Sequence, residues 1–524
     1  MADLPDVTQV AADEALAAIW HDLGLPRAAL ARAHLVGADP VFESSFAVAT
    51  AAQAAIAGSA LAATEIAAQR APMRSRLTVT VDIADAAREC TGAFTLDGAT
   101  PPVWDRLSGL YRCGRRSDPD RAAGWIRIHA NFAHHRDGAI RLLGLGDADA
   151  VSREAVEHAL ADWRAEDVED AADEAGLVIA ALRTQAQWDA HPQAKVVADQ
   201  PLITIERIGD CAPLPWPAAS EPSPAPSSRR DAGLHDAPLA GLRVLDLTRV
   251  LAGPVACRTL AVLGADVLTV HSPGLLNIAA LPDTSRGKRS ATIAVASDPE
   301  PLRALLGDAD VFFQAARPGA IAALGFGPQN LHRIRPGIIA VDLDAWGDQG
   351  PWGGKRGFDS LVQTATGLND AERIALGRES PQPLPVQILD YATGFLAALG
   401  TQAALLRQRT RGGSWRVHVS LARTAHWLRS LGRYRLEQLH EPGRTNDRAS
   451  DGTNDRASDR ANDRPGDRAS DRPGDRASIA AALRPFPSDF GALRALPHAA
   501  RFSRPWPASS QPSRPPGSDP PAWW

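Results

Sequence analysis

The chain has no Cys-x-x-Cys pair, and its four cysteines, Cys90, Cys113, Cys211 and Cys257, lie far apart. That spacing suggests neither a zinc site nor a redox dithiol, so no metal is expected. It fits a reducing, cytoplasmic setting. Basic charge is not in excess: 56 Lys and Arg stand against 61 Asp and Glu, for a net charge of -5. A nucleic-acid protein would usually show a basic face, so no nucleic-acid partner is expected. The first twenty residues, "MADLPDVTQVAADEALAAIW", are acidic and amphipathic, unlike a signal peptide, so no secretory leader is expected. The longest weakly charged run, residues 46–64, is mostly alanine. It would make a poor membrane span, and the expectation is a buried helix in a soluble protein with no membrane partner.

What is present points to a core-forming chain. Its 524 residues, 44% hydrophobic and 22% charged, predict two or more globular domains. Residues 212–238, "APLPWPAASEPSPAPSSRRDAGLHDAP", are a Pro/Ser-rich linker between two halves, 1–211 and 239–440. In the irregular segment 441–478 an Asp recurs every four residues from Asp447 to Asp475, usually before Arg. Pro and Gly interrupt that segment and nothing aliphatic exceeds Ala, so disorder is expected. A Pro-rich tail, 479–524, follows, to pack through its tryptophans or stay loose.

The second half alternates strand and helix patterns. "LRVLDLT", "ADVLTV", "DVFFQAA" and "GIIAVDLDAWG" read as strands, while "GPVACRTLAVLG" and "PEPLRALLGDA" read as helices. This predicts an α/β parallel sheet. No GxGxxG follows the first strand, so no dinucleotide fingerprint is present. The first half mixes strands such as "GWIRIHANF" with helices over "SREAVEHALADW" and "AEDVEDAADEAGLVIAALRT", an α+β pattern.

One acid stands out. In "LPVQILDYATGFLAALG", Asp390 opens an otherwise apolar and polar-neutral helix pattern. Asp is a good N-cap, because its oxygens accept free N–H groups. The other reading is a nucleophilic carboxylate.

Five ordered motifs carry a resemblance. They are "PLAGLRVLDLTRVLAGPVACRTLAVLGADVLTV", "RGKRSATI", "DADVFFQAARPGAIAALGFG", "GDQGPWGGKRGFDSLVQTATG" and "LDYATGFLAALGTQAALLRQRTRGGSWRVHVSLA". Together they resemble the class III CoA-transferase family, also called CaiB/BaiF. The resemblance implies a Rossmann-like large domain plus a smaller α+β domain. It implies a CoA-transferase moving CoA between an acyl-CoA and a carboxylic acid, with Asp390 as nucleophile. It further implies CoA contacts from Leu251 and Ala252, from Ala315, Ala316 and Arg317, and from Arg356 and Gly357. CoA or acyl-CoA would be a substrate, with no permanently bound cofactor, and a homodimer is an expectation. By charge, Arg286, Lys288 and Arg289 are phosphate partners or solvated surface. Oxyanion donors are expected from a glycine-containing loop or from the helix start near residues 391–394.

Departures are visible. "VHSPG", with His271 and Ser272, replaces the family's usual "VE-R/P-P", and Ala315-Ala316 replaces "NF". Phe358 occupies the position where racemase relatives carry a histidine, which disfavours two-base isomerisation. A 2-methylacyl-CoA racemase and a non-catalytic family member remain the alternatives. First-half segments resemble the family's small domain, yet they precede Asp390, so the order looks permuted or fused. An internal echo supports fusion: residues 47–83 parallel 389–421, with Gly58 matching Gly400 and Val48 matching Asp390.

Overall fold

The computed structural model describes residues 9–71, 76–114, 123–217, 237–275, 277–435, 473–506, 509 and 511–523. Most of the Pro/Ser linker and most of the Asp-Arg repeat lie outside these residues. The end of the repeat is described: a helix, Pro473–Ala482, starts there. Pro473 opens the helix rather than breaking it, because the first turn needs no N–H from it. The tail after it packs. Trp523 donates its indole N–H to the Leu305 carbonyl at 2.8 Å and Trp506 to that of Val262 at 2.9 Å.

A seven-stranded sheet organises the second half. Its order is Arg289–Thr292, Asp266–His271, Arg243–Asp246, Val311–Gln314, Ile339–Asp344, Ser414–Ser420 and Thr204–Gly209. The first six strands are parallel and the last is antiparallel. Both faces of the inner strands are covered, so Val244, Leu245, Phe312, Phe313, Ile339 and Val341 form continuous apolar runs. Counting the six parallel strands along the chain, their spatial order is 3-2-1-4-5-6. That is the doubly wound arrangement, whose ligand crevice opens where the order reverses, between strands 1 and 4. The closing strand, Thr204–Gly209, comes from the first half. The expected boundary at residue 211 therefore cuts across the sheet's own hydrogen bonding.

Helix Ile388–Arg411 runs through the centre and is buried from Ile388 to Leu406. It can be apolar all round because every side has a neighbour. Gly400 lies where an added Cβ would stand 2.7 Å from both Ile203 and Val417, so the helix rests close on the sheet. On another side it meets Val48–Arg70, whose Gly58 would meet Leu399 at 2.9 Å. By length and composition Val48–Arg70 could cross a membrane, but 89% of its most apolar window is buried inside this protein.

The two long helices start alike. The residues before them, Ala47 and Gln387, have φ/ψ of -76/59 and -76/62. Val48 and Ile388 each donate an N–H two residues back, at 2.8 Å. Two residues further on, the Thr50 N–H bonds Asp39 Oδ2 at 2.8 Å and the Asp390 N–H bonds Asp359 Oδ2 at 2.9 Å. Thr50, not Val48, is the counterpart of Asp390. The glycine match misleads because Gly58 and Gly400 serve different neighbours, one a helix and the other the sheet.

A smaller module is built on strands Gly109–Cys113, Gly124–Ile128 and Ile179–Ala181 with helices on one face. The segment expected to be wholly helical is a helix only over Ala165–Glu174. Gly176, at φ +68°, ends it, and Ile179–Ala181 becomes a strand.

A buried ion network ties the parts together. Arg258 pairs with Glu89 at 3.3 Å and with Asp283, and His498 Nδ1 lies 3.1 Å from Glu89. Burial alone would raise the Glu89 carboxyl, but His498 and Arg258 bring it down to about 2. A depressed carboxylate stabilises the fold above its ordinary range and loses that contribution as pH falls toward 2. Glu89→Gln is expected to cost about 3 kcal/mol near neutrality, since Arg258 loses a buried partner. Urea unfolding of both proteins should show that gap, and it should shrink between about pH 4.5 and pH 2.

Candidate active site

Asp390 is the third residue of helix Ile388–Arg411, and the cap position belongs to Gln387, which makes no side-chain cap bond. The capping alternative therefore does not hold. Another carboxylate takes that place. Asp359, first residue of helix Asp359–Ala365, accepts the Asp390 N–H at 2.9 Å, and the Leu389 N–H also favours its charge. An anion at a helix N-terminus is stabilised by the free N–H groups and the helix dipole. Gln363, one turn along, donates its amide to Asp359 Oδ1 at 2.5 Å.

Two buried carboxyls this close cannot both be charged near neutrality. Burial raises Asp359 to about 6, against the pull of the Asp390 N–H, Gln363 and Arg127. Asp390 is pushed well above the usual carboxylate range, first by burial and then by the charge on Asp359. The pair carries one proton between them over the neutral range.

The small module covers this pair. Along strand Gly124–Ile128, Ile126 and Ile128 point into the module's own core, so Arg127 faces the other way. His129 follows just after the strand and stacks on Phe358 with ring centroids 3.8 Å apart and planes 8° apart. Phe358 immediately precedes Asp359. Arg356 donates to the Gly176 carbonyl at 2.7 Å, a second tie between module and sheet domain. Burial, then the neighbouring His135 and Arg127, lower the His129 pKa to about 3, so its imidazole is neutral.

The residues implied for CoA lie around the switch point. Leu251 and Ala252 end the loop after strand Arg243–Asp246, and Ala315, Ala316 and Arg317 follow strand Val311–Gln314. Val250, in the first of these loops, has φ +71°, a strained value for a β-branched residue. The Ala252 carbonyl would lie 2.5 Å from a Cβ on Gly394, one turn beyond Asp390. Only glycine lets the loop rest this close to the helix. Arg317 is exposed. Gly357 packs under Ala345 and Trp346, with an added Cβ 2.6 Å from Ala345. The three cations after the second strand are not free. Lys288 pairs with Asp246 at 3.1 Å, Arg289 with Asp266 at 3.0 Å and Arg286 with Asp283 at 2.9 Å. They are internal ion pairs, because each sits below the surface where an unpaired charge is costly. Tyr391 gives its N–H to the Gln387 carbonyl at 3.1 Å, so it is not an oxyanion donor.

The sequence reading missed Asp359, Arg127 and His129. Asp359 was in view within "RGFDS". Strand alternation in "GWIRIHANF" would have set Trp125, Arg127 and His129 on one face.

Residues 239–458 match the family model described as CoA-transferase family III. Over those residues the chain is similar to CoA-transferase family III. It is 38% identical over 205 residues to an acetyl-coenzyme A transferase of Hypoxylon pulicicidum, covering 38% of this chain and 35% of that one. It is 27% identical over 363 residues to an acyl-CoA transferase of Gibberella moniliformis, covering 65% of this chain and 61% of the other. The chain thus spans less than two thirds of either relative. A crystal structure of a CaiB/BaiF family protein from Brucella suis is 29% identical over 36% of this chain and 54% of its own, with a TM-score of 0.32.

Gly394→Ala is expected to destabilise the protein by about 2 kcal/mol, as a Cβ there forces the Ala252 loop away from Asp390. Thermal unfolding would show the loss, and Gly58→Ala, which meets only the movable Leu399 side chain and Leu16, should cost less.

Proposed function

We propose that the chain is a CoA-transferase in which Asp390 is the nucleophile. The observation that carries this reading is the pairing of Asp390 with Asp359 at one helix start, one turn from the switch-point loop at Ala252. The substrates are an acyl-CoA and a carboxylic acid, with no cofactor held permanently, and the setting is a reducing cytoplasm.

The buried pair shares one proton, and in the form with that proton on Asp359 the Asp390 carboxylate is free. The freed carboxylate attacks the thioester carbonyl; the C–S bond breaks and CoA thiolate leaves, giving an aspartyl anhydride. The thiolate then attacks the aspartyl carbonyl, releasing the first acid and forming an aspartyl-CoA thioester. An acceptor carboxylate attacks that thioester, and a second anhydride forms as CoA thiolate leaves. The thiolate attacks the acceptor's acyl carbon, and Asp390 leaves as a carboxylate. Two-base isomerisation fits less well. Phe358 cannot carry a proton, and His129, at about 3, is a weak base for an α-proton. The matched helix starts also support a second reading of origin, a first half descended from a copy of the same unit with Thr50 in place of the nucleophile.

Asp390→Ala and Asp390→Asn should both abolish transfer and covalent mass on the Asp390 peptide after incubation with an acyl-CoA panel. A wild-type rate in either variant would refute the covalent route. Asp359→Asn removes the carboxyl that ionises first, near 6, and leaves the buried Asp390 to ionise alone, so the acid limb of adduct formation should move to higher pH. An unchanged acid limb in the pH–rate profile would count against the pairing.

A further inference from the structure

Arg127 is 1% exposed, and none of its three guanidinium nitrogens has a hydrogen-bond partner among the described residues. A buried, unpaired guanidinium is costly, and proteins rarely keep one without a use. Burial lowers its pKa to about 10, with Asp359 pulling the other way, so it stays cationic at neutrality. Other cations lie nearby: Arg153 acts on Arg127 itself, and Arg356 and Arg249 act on the neighbouring His135. His129 and His135 are neutral, lowered to about 3 and about 4 mainly by burial, and His129 Nδ1 and both ring nitrogens of His135 have no hydrogen-bond partner among the described residues. Trp104 closes the other side, its ring centroid 5.8 Å from the Arg127 Cζ and 6.1 Å from the His129 ring.

A fixed cation with free donors, walled by aromatic rings and neutral imidazoles, has the chemistry of a carboxylate receptor. It stands beside the carboxyl pair at the junction of the small module and the sheet domain, where ligands commonly bind. The reacting carboxylate of the substrate is unsuited to it, because that group is uncharged while held as thioester or anhydride. A carboxylate that keeps its charge throughout suits it.

We propose that Arg127 anchors a second, non-reacting carboxylate of the substrate, so that the acids this site exchanges are dicarboxylic. This rests on the transferase reading above. Arg127 is thus a specificity-determining residue. A bound dicarboxylic acid or its half-thioester gives the guanidinium the acceptor that no described residue supplies.

The test uses the full chain with glutaryl-CoA and its chain-length match pentanoyl-CoA as donors. Single-turnover labelling of Asp390 is measured for the wild type, R127Q and R127K. The wild type should favour glutaryl-CoA by at least about a hundredfold. R127Q should bring that ratio within about fivefold, and R127K should fall between, since it keeps the charge without the fork. No wild-type preference, or equal slowing of both donors in R127Q, would overturn the proposal and leave Arg127 a structural role. Should R127Q fold poorly, free glutarate and free pentanoate are compared on the wild type by thermal shift. Glutarate alone should raise the melting temperature; an equal effect of the two would overturn the anchor. Selective stabilisation by glutarate without any label on Asp390 would sink the transferase reading and keep the anchor.

Discussion

The Asp390 N–H bond to the Asp359 carboxylate is the constraint on which the rest of the molecule depends. It fixes where helix Ile388–Arg411 begins. It also places one carboxyl on the dipole end of that helix and leaves the other inside the first turn. Each group makes the other harder to ionise, and burial makes both harder. That buried setting needs a lid, a floor and a fixed register. The small module is the lid, the parallel sheet is the floor, and helix Val48–Arg70 pins the register from the side.

The sheet-domain fold was readable because its signals are local. The strands of the parallel core are continuous aliphatic runs, and Pro254 and Gly264 frame the first helix. Asp390 was legible as the odd acid in an apolar helix, and the family motifs are what suggested a nucleophile there. The loops that the family motifs implied for CoA lie, by the strand order, with Leu251–Ala252 and Ala315–Arg317 on either side of the switch point.

What the sequence hid was mostly long-range. Thr204–Gly209 looks like a short polar-apolar stretch before a linker, and only pairing with Ser414–Ser420 makes it a sheet strand. Lys288 and Arg289 look like phosphate ligands until Asp246 and Asp266 are found beside them. Arg127 is an ordinary strand arginine in sequence. Its burial against Trp104 and near Asp359 depends on how two distant segments dock. The misread helix at 179–181 is a local error, because Gly176 was there to mark the stop.

The edge strand has a consequence for how the chain comes to be folded. Thr204–Gly209 is synthesised long before Ser414–Ser420, its only ladder partner among the described residues. Through that interval it has nothing to pair with, and the alanine-rich helix Val48–Arg70 has no Ile388–Arg411 to lie against. An emerging chain therefore carries an open edge and an apolar helix together, the two features that most invite wrong association. Non-local closure of this kind is slow. Yield of this protein in a cell should thus be limited by the time between making the first half and finishing the second, rather than by the stability of the finished fold.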